Sequence, residues 1–111
     1  MKSINVQLDV AIIKEGEFYI AYAPALELTA YGKSIKEAKK DFEEVLAIFF
    51  EEITSNDKLF DVLLELGWTL KKLPQPRFTP PHVKRRLSQR LHPSNSRLIR
   101  TSSQNISIPV S

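Results

Sequence analysis

The chain has 111 residues, of which 42% are hydrophobic and 26% charged, with a formal net charge of +3, two histidines and no cysteine. This is apolar material for one small core, and it leaves neither a disulfide framework nor a thiolate metal site. His82 and His92 stand apart in a proline-bearing basic segment with no His-x-x-x-His spacing, so no metal or other cofactor is expected. There is no leading apolar run of the signal type and no apolar stretch of about 18 residues, so the chain reads as cytoplasmic and soluble, with no membrane partner.

The first element is a strand. Ile4, Val6, Leu8, Val10 and Ile12 alternate with Ser3, Asn5, Gln7, Asp9 and Ala11, the period of a half-buried strand. Lys14, Glu15 and Gly16 then read as a turn. Phe18, Ile20 and Tyr22 repeat the alternation, Pro24 marks a second turn, and Leu26, Leu28 and Ala30 carry the pattern on. The expectation is a three-stranded antiparallel meander with a single apolar face.

Gly32 leads from the third strand into a helix. Ser34 and Glu37 have the spacing of a capping box, in which each side chain satisfies a backbone N–H at the helix start. Ile35, Ala38, Phe42, Val45, Leu46, Phe49 and Ile53 recur at spacings of three and four, which predicts an amphipathic helix over residues 34 to 54 lying across the sheet. A second, shorter helix follows, capped by Asn56 or Ser55, filled by Leu59, Phe60, Val62, Leu63, Leu64 and Leu66, and closed by Gly67 in a left-handed conformation. Ala47, Ile48 and Phe50 widen the first helix's apolar stripe beyond one face, so another chain or the tail is expected to bury part of it. Trp68 reads as a lid on the core or as an interface anchor.

Charge divides the chain. Residues 1–70 hold all thirteen acids against seven lysines, a net −6, whereas residues 71–111 hold nine cations and no acid, a net +9. The break falls at Leu73, Pro74, Gln75 and Pro76 and separates an α+β domain, residues 1–70, from a basic arm, residues 71–111. In the arm, Phe78, Thr79, Pro80 and Pro81 are followed by a short cationic helix over residues 82 to 91, a break at residues 93 to 95, and a terminal strand over residues 105 to 110 that Pro109 restricts to a sheet edge. Three readings of the arm stand side by side. Lys84, Arg85, Arg86, Arg90, Arg97 and Arg100 contact nucleic-acid phosphates, or they dock on an acidic protein surface of this chain or its neighbour, or the arm is a solvated tail.

Signals of catalysis are weak. Asp9 lies mid-strand among residues that alternate outward, and the remaining acids sit on helices as solvated faces, so no convergent carboxylates exist for metal-assisted hydrolysis. No histidine of the first 70 residues is present to activate Ser34, which serves as a cap. Gly32 is one glycine before a helix, not a phosphate-cradling loop. The chain is read as no enzyme, with no small-molecule substrate.

The run from Phe18 to Leu26, with Pro24, followed by Tyr31, Gly32, Lys33, Ser34, Ile35, Lys36, Glu37 and Ala38, resembles the HicB family of antitoxins: strand, Pro-x-Leu, strand, Gly-x-Ser-x-x-Glu-Ala, helix. The resemblance covers residues 3 to 54. Leu66, Gly67 and Trp68, with Phe78 to Pro81 and Ile106 to Pro109, look like a subgroup with a strand-ending tail. It implies a partly degenerate ribonuclease H-like fold without catalytic carboxylates, a homo-oligomer, and a small basic RNA-cleaving toxin of the HicA type as partner. Opposite net charge suits that pairing. The outward sheet positions Gln7, Asp9, Tyr19, Thr29 and Tyr31 are the expected toxin-facing residues, while Pro24, Gly32, Ser34, Glu37, Gly67 and Trp68 are structural. Family members often carry a promoter-binding domain, but the arm here has the order and length of neither a helix-turn-helix nor a ribbon-helix-helix. Autoregulation through promoter DNA is the alternative function, and strand exchange or edge pairing is a third use of the tail.

Overall fold

A computed structural model describes residues 2–71, 77–81 and 96–110. The order is β1 (Lys2–Glu15), β2 (Phe18–Ala23), β3 (Leu28–Gly32), α1 (Ile35–Ser55), α2 (Leu59–Glu65), β4 (Thr69–Lys71), β5 (Arg77–Thr79) and β6 (Ser96–Val110). The fold is α+β. Four strands form one antiparallel sheet in the order β3-β2-β1-β6, and β4 and β5 make a separate hairpin. The cationic helix expected over residues 82 to 91, the break at residues 93 to 95, and Lys84, Arg85, Arg86 and Arg90 lie outside the described residues.

β1 runs three residues beyond the alternating pattern that defined it, to Glu15, and the turn is Gly16 and Glu17 rather than Lys14 to Gly16. Gly16 takes φ +62° at the first turn position, which suits a tight hairpin. Its register, Glu15 opposite Phe18 and Ile13 opposite Ile20, overturns the expected single phase. Residues directly opposite one another share a face, so Tyr19, Ala21 and Ala23 turn toward α1 with Ile12. Ile20 and Tyr22 join Ala11 and Ile13 in a second buried cluster on the other face. The sheet therefore has apolar residues on both faces, because a shift of one position exchanges the two sides.

The α1 side holds the main core. Val6, Leu8, Val10 and Ile12 of β1 meet Ala38, Phe42, Phe50 and Ile53 of α1, with Leu59 and Leu63 of α2 at one end. Ile106 and Ile108 of β6 lie opposite Val6 and Ile4 and belong to this core. The tail strand thus begins nine residues before the expected Asn105 and supplies a fourth strand to the three-stranded meander. Pro109 is on the edge strand, where a residue lacking N–H is tolerated. A register shift between Ile12 and Ile13 lets β6 follow β1 along its whole length.

The junction into α1 is tight. Ser34 Oγ accepts from Glu37 N–H at 3.1 Å, and the Glu37 carboxylate accepts from Lys33 N–H at 2.9 Å, one residue before the cap. Tyr31 N–H donates to Asp41 Oδ2 at 3.2 Å, binding the end of β3 to the same helix. A Cβ at Gly32 would lie 2.4 Å from the Ala38 nitrogen, so only glycine lets the strand approach the first helical turn this closely.

At the other end, Asn56 caps the C-terminus of α1, and the Ser55 hydroxyl donates back to Glu51 and Glu52 carbonyls, so neither caps α2 as expected. Lys58 holds that position without a side-chain bond. Gly67 takes φ +94°, the left-handed conformation read from the sequence. Trp68 is buried at 3% exposure, and Phe78 of β5, opposite Leu70, meets Phe60 edge-to-face at 5.9 Å. Phe50 is buried while Ala47 and Ile48 of α1 remain exposed, so the widened apolar stripe is covered in part.

Candidate functional site

The five residues expected to face a partner do not lie together. Gln7, Asp9, Thr29 and Tyr31 are on the sheet face away from α1, as the registers Gln7 to Asn105, Asp9 to Ser103, Tyr22 to Thr29 and Ile20 to Tyr31 require. Tyr19 is on the opposite face. It stands opposite Lys14 and Gly32, is half-buried against the core, and lies under the Lys14 ammonium at 5.1 Å from its ring centroid. The reversal is the same one-residue change of phase that moved Ile20 outward.

On the outer face two zones can be told apart. Along β1 and β6 runs a polar ladder: Ser103 Oγ donates to Asp9 Oδ1 at 3.2 Å, and Ser107 Oγ donates to Asn5 Oδ1 at 2.9 Å, with Gln7 and Asn105 opposite each other between them. The Asp9 carboxylate is thereby a cross-strand acceptor, which accounts for an acid in mid-strand without chemistry. Across the other half runs a row from four strands, Tyr31, Ile20, Ile13 and Leu98. Its inner pair is buried, whereas Tyr31 is 54% and Leu98 40% exposed, and Phe18 on the same face is 49% exposed. Thr29 and Tyr31 belong to this second zone, Gln7 and Asp9 to the first.

The cations of the arm that the structure describes sit elsewhere. Arg100 is opposite Ile12 and Arg97 opposite Lys14, so both are on the α1 side, at the end of the sheet where β1 turns into β2. Among the described residues, two of the open clefts flank the sheet. One, of about 310 Å³, lies between residues 4 to 7 of β1 and residues 77 to 80. The other, of about 520 Å³, separates α1 from β6 and is lined by Glu43, Leu46, Ala47, Phe50 and Glu51 on one side and by residues 104 to 107 on the other. Among the described residues no group of three or more His, Cys, Asp or Glu is placed to hold a metal ion, and no helix is long and apolar enough to cross a membrane.

Neither a protein-family model, nor a curated protein, nor a solved structure matches the chain. The residues sequence reasoning missed are Phe18 and Leu98. The periodicity within β2 puts Phe18 on the core face, because it carries no information on the phase of β2 relative to β1. Leu98 lies in a basic stretch with no alternation to mark it as a strand.

Proposed function

We propose that this chain is a non-enzymatic antitoxin-like protein of the HicB type, with a partly degenerate ribonuclease H-like fold, that binds a small basic RNA-cleaving toxin of the HicA type in the cytoplasm and covers its active surface. The observation that carries the reading is the outer sheet face. Exposed Phe18, Tyr31 and Leu98 lie beside Thr29 at one end of this face, and polar Gln7 and Asp9 continue the same face along β1, the mixture of apolar anchors and polar rim on which protein interfaces are built. The net −6 of residues 1–70 favours a cationic partner and speeds its encounter. The Gly32, Ser34 and Glu37 junction, on which the resemblance rests, supports it further by fixing β3 against α1.

The test is a growth assay. A HicA-type ribonuclease expressed alone arrests growth, and co-expression of this chain restores it. Tyr31→Glu combined with Thr29→Arg abolishes the rescue while leaving the melting temperature unchanged. Absence of rescue by the unaltered chain sinks the reading.

A second reading, promoter binding through the basic arm, is favoured by one observation: Lys14, Arg97 and Arg100 share a face at one end of the sheet. Three cations contacting phosphates would give a steep salt dependence. DNA binding at low salt that Arg97→Ala with Arg100→Ala leaves unchanged removes it.

A further inference from the structure

β6 is the outer strand of its sheet, so one of its backbone edges has no strand beside it among the described elements. A long edge of this kind is a template for another strand, and natural proteins commonly blunt it with charge, a bulge or a covering element. Here both charged residues of β6, Arg97 and Arg100, fall within its first five positions, and residues 101 to 110 carry none. Beside that neutral stretch lies the cleft to α1, lined by Glu43 and Glu51 together with Leu46, Phe50 and Ile106. The edge is therefore cationic at one end and acid-flanked at the other.

We propose that β6 pairs edge to edge, antiparallel, with β6 of a second copy of this chain, about a two-fold axis through Ser103. Antiparallel pairing sets the cationic end of each strand against the acid-flanked end of the other, whereas parallel pairing would set Arg100 beside Arg100. Opposite residues share a face, and Arg100, Gln104, Ile106 and Ile108 all lie on the α1 side, opposite Ile12, Leu8, Val6 and Ile4. From Arg100 onward, beyond the shift that puts Leu98 on the other face, the register must therefore match even-numbered residues with even-numbered ones. With Ser103 on the axis, Arg100 falls opposite Ile106 of the second copy and enters the cleft that holds the second copy's Glu43 and Glu51. The product is one continuous eight-stranded sheet with both α1 helices on the same side, within the usual size of sheets. The interface is isologous, the commonest form of closed assembly.

This pairing does not depend on toxin binding and is tested on the full chain alone. Sedimentation velocity is expected to show a dimer. Arg100→Glu weakens it about tenfold or more, the effect of a charge pair turned repulsive across an interface, and adding Glu43→Arg and Glu51→Arg to Arg100→Glu restores it. Arg100 is exposed, and circular dichroism confirms that each variant is folded. The chain has no cysteine, so Ser103→Cys provides a single thiol. Mild oxidation is expected to link two Ser103→Cys chains and not two Ser107→Cys chains, whose thiols would lie about 26 Å apart along the paired strands. A monomer at every concentration, which would leave the edge for a cationic strand of another protein, overturns the proposal. So does a dimer that Arg100→Glu leaves intact, or cross-linking at residue 107 as efficient as at residue 103.

Discussion

The indole N–H of Trp68 donates a 2.8 Å hydrogen bond to the carbonyl oxygen of Ala25, across 43 positions of sequence. It fastens the connection between α2 and β4 to the turn between β2 and β3. That turn takes its shape from Pro24, from the Leu26 N–H to Ala23 carbonyl bond, and from Glu27 at φ +54°. The ring is also core, so Trp68 does two jobs: its body fills the space beside α2, and its one polar atom satisfies a buried carbonyl.

Trp68→Phe keeps most of the apolar surface and removes the donor. The Ala25 carbonyl is then buried without this partner, which costs about 1–3 kcal/mol. A lowered midpoint in urea with an unchanged slope is the expected result; an unchanged midpoint would show that water replaces the indole.

Of the three glycines, Gly32 is the one where an added methyl group does the most damage. The added carbon meets backbone of α1, not a side chain that can swing aside, so β3 and the helix must separate. Overpacking of this kind costs about 1–3 kcal/mol or more. Gly16→Ala, where no atom lies within 4 Å of the new carbon, carries only the strain of a positive φ and is expected to be milder in thermal melts.

Ser34→Ala removes the acceptor for Glu37 N–H and is expected to lower stability by about 1 kcal/mol. Glu37→Ala removes the bond to Lys33 and has a similar, smaller effect because the site is exposed. The two changes act on one capping arrangement, so the double variant should lose less than the sum of the two losses. A fully additive double-mutant cycle would contradict this.

Tyr19 and Tyr31 provide a matched pair. Tyr31→Ala, at an exposed position on the outer face, should stay within about 0.5 kcal/mol of the parent in stability and lose partner binding. Tyr19→Ala, on the α1 side and packed on the core, should lose about 1–2 kcal/mol and bind its partner as before once folded. The reverse outcome would return Tyr19 to the interface.

Removing residues 96–111 tests whether the tail is an appendage. The deletion strips Ile106 and Ile108 from the core, each worth about 2 kcal/mol, and uncovers the edge of β1 along its length. The truncated chain is expected to be aggregated or unfolded by circular dichroism. A soluble, cooperatively melting product would make the acidic segment a domain in its own right.

Much of this architecture is written locally. The alternation from Ile4 to Ile12, the spacing of Ala38, Phe42 and Ile53, the Ser34 and Glu37 pair, and the positive φ of Gly67 all follow from interactions within a few residues. The candidate site was less legible. Asp9, Gln7, Thr29 and Tyr31 alternate as outward positions should, but Tyr19 has the same signature and points the other way. The hairpin of β4 and β5 has no signature in the sequence, because three-residue strands carry no measurable period. In β6 the residues from Arg97 to Ser103 are polar or basic with no alternating stripe, so their strand character comes from pairing with β1 rather than from their own composition.

By itself, then, the sequence determined which segments are strand or helix where the pattern is strong, how α1 begins, and that charge is divided between the two halves of the chain. Only the tertiary structure decided which way β2 faces and where the basic tail goes. The first depends on a two-residue turn, since one position of register exchanges the two faces of a strand. The second depends on contacts between residues nearly the whole chain apart, Ile4 with Ile108 and Val6 with Ile106, whose pairing no local pattern encodes.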